Sequence, residues 1–158
     1  MASPEPLLEA LRGVLNAREV VAGLATGGQP GLETLPRLAK AGCQLVVDMR
    51  DPMEAQPFDP PAAVRNAGLD YVNLPVPHFG VSDGTLDQVR TLVSSLLGRG
   101  GKAFLYCNSG NRVGAALVPY FILDRGMTEE EAVTLAMRIG TRSTELLDQV
   151  LDYVRRRR

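Results

Sequence analysis

Tryptophan is missing from this 158-residue chain, histidine occurs once and cysteine twice. A single imidazole excludes multi-histidine metal sites, and it leaves a Cys-His or Ser-His hydrolase only His78, in the turn Pro77-His78-Phe79-Gly80. No metal or other cofactor is expected. Two cysteines cannot build a disulfide framework, and free thiols fit a reducing, cytoplasmic setting. An excess of charge is missing too: 17 basic and 18 acidic residues leave a net charge of -1, which gives a nucleic-acid surface no support. There is no run of about 18 apolar residues to cross a membrane. The start, Met1-Ala2-Ser3-Pro4-Glu5, has neither the basic flank nor the apolar stretch of a secretory signal. The phosphate loop of NTPases is absent, because Gly101-Lys102 is followed by Ala103 and no glycine stands at the required position upstream. Ser109 lacks the first glycine of a nucleophile elbow. Repeats and low-complexity linkers are missing as well. The exception to the even charge is Arg155-Arg156-Arg157-Arg158, which reads as a solvated cap complementing a helix dipole.

What remains is 45% hydrophobic, enough for one domain, 1–158, with a sizeable core. Short apolar runs alternate with amphipathic patterns. A helix is expected over Leu7 to Leu15, within about residues 5–16, then a strand over Val20 to Leu24 and a helix over Leu32 to Ala41 that Gly42 stops. Gln44 to Asp48 reads as a buried strand. Cys43, just before it, reads as a small core residue. A Pro-rich loop over Asp51 to Pro61 leads to a short helix at Ala62 to Ala67 and a strand at Asp70 to Pro75. Thr85 to Leu97 is a helix with a Thr85/Gln88 capping box, and Lys102 to Tyr106 is a strand. Three helical patterns follow: Val113 to Arg125, Glu129 to Ile139 with a Thr128/Glu131 box, and Thr144 to Arg156. The expectation is an α/β domain with a central, mostly parallel sheet of four or five strands and helices on both faces.

The chemistry concentrates in Cys107-Asn108-Ser109-Gly110-Asn111-Arg112. A strand ending in a thiol, turning through a polar glycine-containing loop into a helix, aims backbone N–H groups and the positive helix end at one point. That field is expected to lower the pKa of Cys107 below the usual thiol value. Arg112 can hold two oxygens of an oxyanion with its planar fork. These parts describe nucleophilic catalysis at a phosphoryl or sulfur-containing group, with Cys107 as nucleophile. The bland alternative is a buried structural cysteine before an ordinary loop.

Thr26-Gly27-Gly28-Gln29-Pro30, the strand end Val47-Asp48-Met49-Arg50, the turn Leu74-Pro75-Val76-Pro77 and Tyr106-Cys107-Asn108-Ser109-Gly110-Asn111-Arg112 resemble the beta-lactamase-hydrolase-like phosphatases. That bacterial-like group belongs to the protein tyrosine and dual-specificity phosphatase fold, and the resemblance runs from about Val20 to the C-terminus. It implies a hydrolase of phosphorylated proteins or small-molecule phosphate esters, with a phosphocysteine at Cys107. It also implies phosphate binding by the amides of Asn108, Ser109, Gly110, Asn111 and Arg112, and an aspartate on a preceding loop as general acid. Asp83, in Phe79-Gly80-Val81-Ser82-Asp83-Gly84, is the candidate acid, with Asp87 and Asp48 behind it. Its bland role is helix capping, which Thr85 already suits. Asp48 has a second reading, orienting Arg112 or Arg50, and Gln29 supports the catalytic loop or merely shapes a turn.

The pattern also departs from that resemblance. Four residues separate Cys107 from Arg112 where the phosphatases have five. Tyr106 stands for the usual histidine, and Val113 for the usual hydroxyl residue. A lost hydrogen bond to the thiolate, at roughly 1.5–3 kcal/mol, predicts a slow or specialised phosphatase. The short loop resembles that of rhodanese-like sulfurtransferases, which would carry a Cys107 persulfide. A non-catalytic phosphate-binding module is the third reading. Oligomeric state is open.

Overall fold

The computed structural model describes residues 6–78 and 80–158. Residues 1–5 and Phe79 lie outside the described residues, and with them the start expected for the N-terminal helix and one member of the Phe79–Gly84 loop.

The architecture is a five-stranded sheet with helices on both faces. Strands β1 (Arg18–Val21), β2 (Leu24–Gly27), β3 (Leu45–Asp48), β4 (Asp70–Asn73) and β5 (Ala103–Tyr106) lie in the order β1-β2-β5-β3-β4. Only the β1–β2 pair is antiparallel. The expected single strand over Val20 to Leu24 is therefore two strands folded at Ala22-Gly23. Gly23 has φ +86°, the left-handed conformation a tight reversal needs. The continuous apolar run across that turn conceals it, because both arms are apolar.

The helices are α1 (Leu7–Ala10), α2 (Thr34–Lys40), α3 (Pro60–Asn66), α4 (Asp83–Gly98), α5 (Asn111–Pro119), α6 (Glu129–Ile139) and α7 (Thr144–Arg156). The N-terminal helix is one turn long where about three were expected, and the chain then turns irregularly to Asn16, at φ +55°. The helix expected over Val113 to Arg125 divides: α5 ends at Pro119, which has no N–H for the regular ladder, and Tyr120–Asp124 continue as a wider π turn. The Thr128/Glu131 box forms as read, with both reciprocal bonds present. The Thr85/Gln88 box does not. Ser82 caps α4, its hydroxyl accepting the Thr85 N–H at 3.1 Å, so Asp83 is the first helical residue. No helix among the described residues is long and apolar enough to cross a membrane.

Alternation along the strands sorts the core into two layers. Leu45 and Val47 of β3, with Ala103 and Leu105 of β5, pack under α4 to α7. Val46, Phe104 and Tyr106 pack on the other face against α1 to α3. The register then aligns four strand ends: Gly27 pairs with Tyr106, Tyr106 with Asp48, and Asp48 with Asn73. All four exit loops leave from one rim, the carboxyl edge where open α/β sheets hold their ligands.

Candidate active site

Cys107 follows the last residue of β5 at the centre of that rim. It is 1% exposed. Its thiol accepts the Gly110 N–H at 3.1 Å, so the loop curls back over the sulfur. Gly110 has φ +93°, and a Cβ there would lie 2.5 Å from the Ile139 carbonyl oxygen, so no larger residue suits this position. The loop is also held from outside. The Asn108 carbonyl accepts the Gln29 N–H at 3.3 Å, and the Ser109 carbonyl accepts Asn16 Nδ2 at 2.8 Å. Gly28 has no room for a side chain, because a Cβ would sit 2.5 Å from the Asn108 oxygen. Two of the loop carbonyls are thus tied away from the sulfur, and the Gly110 N–H turns to it.

Arg112, in the first turn of α5, is 2% exposed. Its fork is not empty: Nη1 donates to Glu54 Oε2 at 2.7 Å and Nη2 to Oε1 at 3.0 Å. These bonds use two of the five N–H donors of a guanidinium. Burial acts against the charge of Arg112, but Glu54 and Cys107 outweigh it and raise its pKa. Glu54 also accepts Asn108 Nδ2 at 3.1 Å. Its bond from Arg112 outweighs partial burial and holds the carboxyl down at about 2, with the Asp51 N–H and Arg50 adding to the effect.

Glu54 was not singled out by the sequence, since it stands in a Pro-rich loop without periodicity. The structure shows what delivers it. Arg50, 4% exposed, donates to Gln29 Oε1, to Gln56 Oε1 at 2.7 Å and to the Ala55 carbonyl, while its Nε lies 3.7 Å from Glu54. One buried cation thus gathers the 51–56 loop over the site. Gln29 serves in both ways considered for it, as part of the turn and as support for Arg50 and the Asn108 carbonyl. The only available signal was the tandem Arg50 and Glu54 beyond a buried strand end.

The other acids lie elsewhere. Asp48 orients neither arginine's guanidinium: Oδ1 accepts the backbone N–H of Arg50 at 2.9 Å and Oδ2 the Tyr71 hydroxyl at 2.9 Å. Tyr106 is buried beside it, and burial and that carboxylate push its pKa up, so the phenol stays neutral. Asp87 accepts the Tyr153 hydroxyl and lies 3.6 Å from Arg157. The Asn111 side chain docks α7, accepting the N–H groups of Arg142 at 2.7 Å and Ser143 at 3.3 Å. Asp83 is at the other end of α7, in a two-pronged pair with Arg156 at 2.7 and 2.9 Å. Since α7 is 13 residues long, those two attachments are about 20 Å apart along its axis. The structure brings Cys107, Arg112 and the 108–112 loop together, and it does not bring Asp83 to them. The Arg156 bond also lowers the Asp83 pKa, which works against carrying a proton at neutral pH.

The terminal arginines are exposed to water, as expected of a solvated cap, and each also has a partner. Arg155 and Arg158 bond Glu129, Arg156 bonds Asp83 and Asp152, and Arg157 lies 3.6 Å over the Tyr153 ring. Cys43 is a core residue as expected, 5% exposed, with burial raising its thiol pKa to about 11.

No protein-family model matches the chain, and no curated protein matches it in sequence. Solved structures do match. Tk-PTP in its active form superposes with a TM-score of 0.79 at 22% identity, covering 90% of this chain and 98% of the other. PTPMT1 in complex with PI(5)P gives 0.77 at 15% identity, covering 89% and 95%. P. aeruginosa TpbA in complex with pTyr gives 0.69 at 19% identity, covering 89% and 83%. At these identities the likeness is one of fold, and the chain has the fold of the protein tyrosine and dual-specificity phosphatases.

Proposed function

We propose that the protein is a cysteine-dependent phosphatase of phosphate monoesters, allied to the beta-lactamase-hydrolase-like phosphatases by its motifs. The observation that carries this reading is the loop itself: a buried Cys107 thiol accepting the Gly110 N–H at 3.1 Å, with Arg112 buried in the helical turn that follows. A dianionic phosphoryl group suits a loop whose Gly110 N–H faces the thiol beside a buried guanidinium and a helix N-terminus. Cys107 attacks phosphorus, the ester oxygen leaves, and water then releases phosphate from the phosphocysteine. Phosphotyrosine and the 5-phosphate of PI(5)P, bound in the TpbA and PTPMT1 structures, are monoester groups, which supports that substrate class. Val113 supplies no hydroxyl to the thiolate, so turnover is expected to be slow.

The test is turnover of an aryl phosphate without added metal, inhibited by vanadate, beside sulfur transfer from thiosulfate to cyanide. Cys107→Ser should abolish phosphate release. Sulfur transfer without phosphate release would make the chain a sulfurtransferase, and vanadate binding with neither activity would make it a phosphate-binding module.

A further inference from the structure

We propose, on the phosphatase reading above, that His78 is the general acid that protonates the leaving oxygen. The segment leaving β4, residues 74–82, carries no carboxylate, and His78 is its one ionisable side chain. Hydrogen bonds trace where it lies. Met49 N–H donates to the Tyr106 carbonyl at 2.9 Å, and Val76 N–H donates to the Met49 carbonyl at 3.0 Å. Val76 is thus two strand spacings, about 10 Å, from the strand that ends at Cys107, and His78 is two residues further on. The far end of the segment is tied by Val81 N–H to Gln149 Oε1 at 3.1 Å, about 9 Å along α7 from the Ser143 end that Asn111 holds. His78 lies in sequence between these two ties, on the chain that leaves the same edge of the sheet as Cys107. His78 is exposed and has no hydrogen-bond or ion-pair partner among the described residues.

The carboxylates considered for the role, and Glu54, already have partners. Glu54 is ionised in the Arg112 fork, Asp48 is buried under Tyr71, Asp83 is paired with Arg156, and Asp87 with Tyr153 and Arg157. On α7, Glu145 and Asp148 are exposed, and Arg142 precedes that helix. Histidine is the residue type most often used as a general acid and base, since imidazole both donates and accepts a proton near neutral pH. As the Cys107 Sγ–P bond forms and the P–O bond breaks, the imidazolium N–H passes its proton to the departing oxygen. In the second step neutral His78 takes a proton from water as the oxygen bonds phosphorus. The S–P bond then breaks, and the thiolate and imidazolium are restored.

The test is a leaving-group series with the full chain. His78→Gln should slow phenyl phosphate about a hundredfold, leave 2,4-dinitrophenyl phosphate within about threefold because that phenolate needs little protonation, and remove the basic limb of the kcat profile. Added imidazole should restore part of the loss. Equal losses across the series would overturn the assignment, as would a selective loss in Asp83→Asn. A wild type that turns over no aryl phosphate would overturn the phosphatase reading, and this assignment with it.

Discussion

Two arginines in this molecule grip a carboxylate with the same two-pronged geometry, and their surroundings make them unlike. Arg112 holds Glu54 at 2.7 and 3.0 Å, with side-chain exposures of 2% and 25%. Arg156 holds Asp83 at 2.7 and 2.9 Å, with exposures of 47% and 44%. The first pair sits where water is largely excluded, so each charge depends on its partner and the Glu54 carboxyl falls to about 2. The second stands in water, which screens it and solvates either member alone. Distance alone does not rank the two. The buried fork lies beside Cys107 in the candidate site, and the exposed one fastens the end of α7 to the start of α4.

Removing the buried cation should have the largest effect. On the proposed function, Arg112→Ala is expected to cut kcat/KM about 10²–10³-fold on an aryl phosphate, because it deletes the cation that would stabilise the developing oxyanion. It should also lower stability by about 2 kcal/mol, since the partly buried Glu54 loses its main partner and keeps only Asn108, the Asp51 N–H and the more distant Arg50. A urea-unfolding midpoint equal to wild type would show that the pair is dispensable. Glu54→Gln should come next. A carboxylate whose folded pKa lies below its unfolded value stabilises the protein fully above about pH 4.5, and that contribution is lost as pH falls toward about 2. With the shift discounted for partial exposure, wild type should lose on the order of 2 kcal/mol over that window. The variant's urea stability should show that much less pH dependence there, and parallel curves for the two proteins would contradict the assignment. Asp83→Asn should have the smallest effect. Its loss of melting temperature should be slight at low ionic strength and vanish in high salt, and a loss that persisted in high salt would mean that the clasp is less exposed than its geometry shows.

The parts of the fold that could be read in advance are those written in contiguous residues. The Thr128/Glu131 box, the strand that ends at Cys107, and the helix that starts behind its glycine each depend on neighbours within a few positions. Other features depend on competing local signals or on none at all. Ser82 and Thr85 both suit an N-cap, and the one that forms leaves Asp83 inside the helix. The apolar stretch about Ala22-Gly23 fits one strand or two, and pairing of β2 with β5 decides for two. The terminal arginines have the composition of a solvated cap, yet acids on α4 and α6 stand within reach of all four.

The sequence by itself determined the α/β alternation, the nucleophile candidate and the loop that surrounds it, because hydrophobic period, glycine and helix start act over one or two turns of chain. Only the tertiary structure decided which charged groups meet. Arg112 and Glu54 are 58 positions apart, and Arg156 and Asp83 are 73 apart. Partners at such separations are chosen by the packing of loops and helices on the sheet, which also decides which pair is shielded from water and which is not.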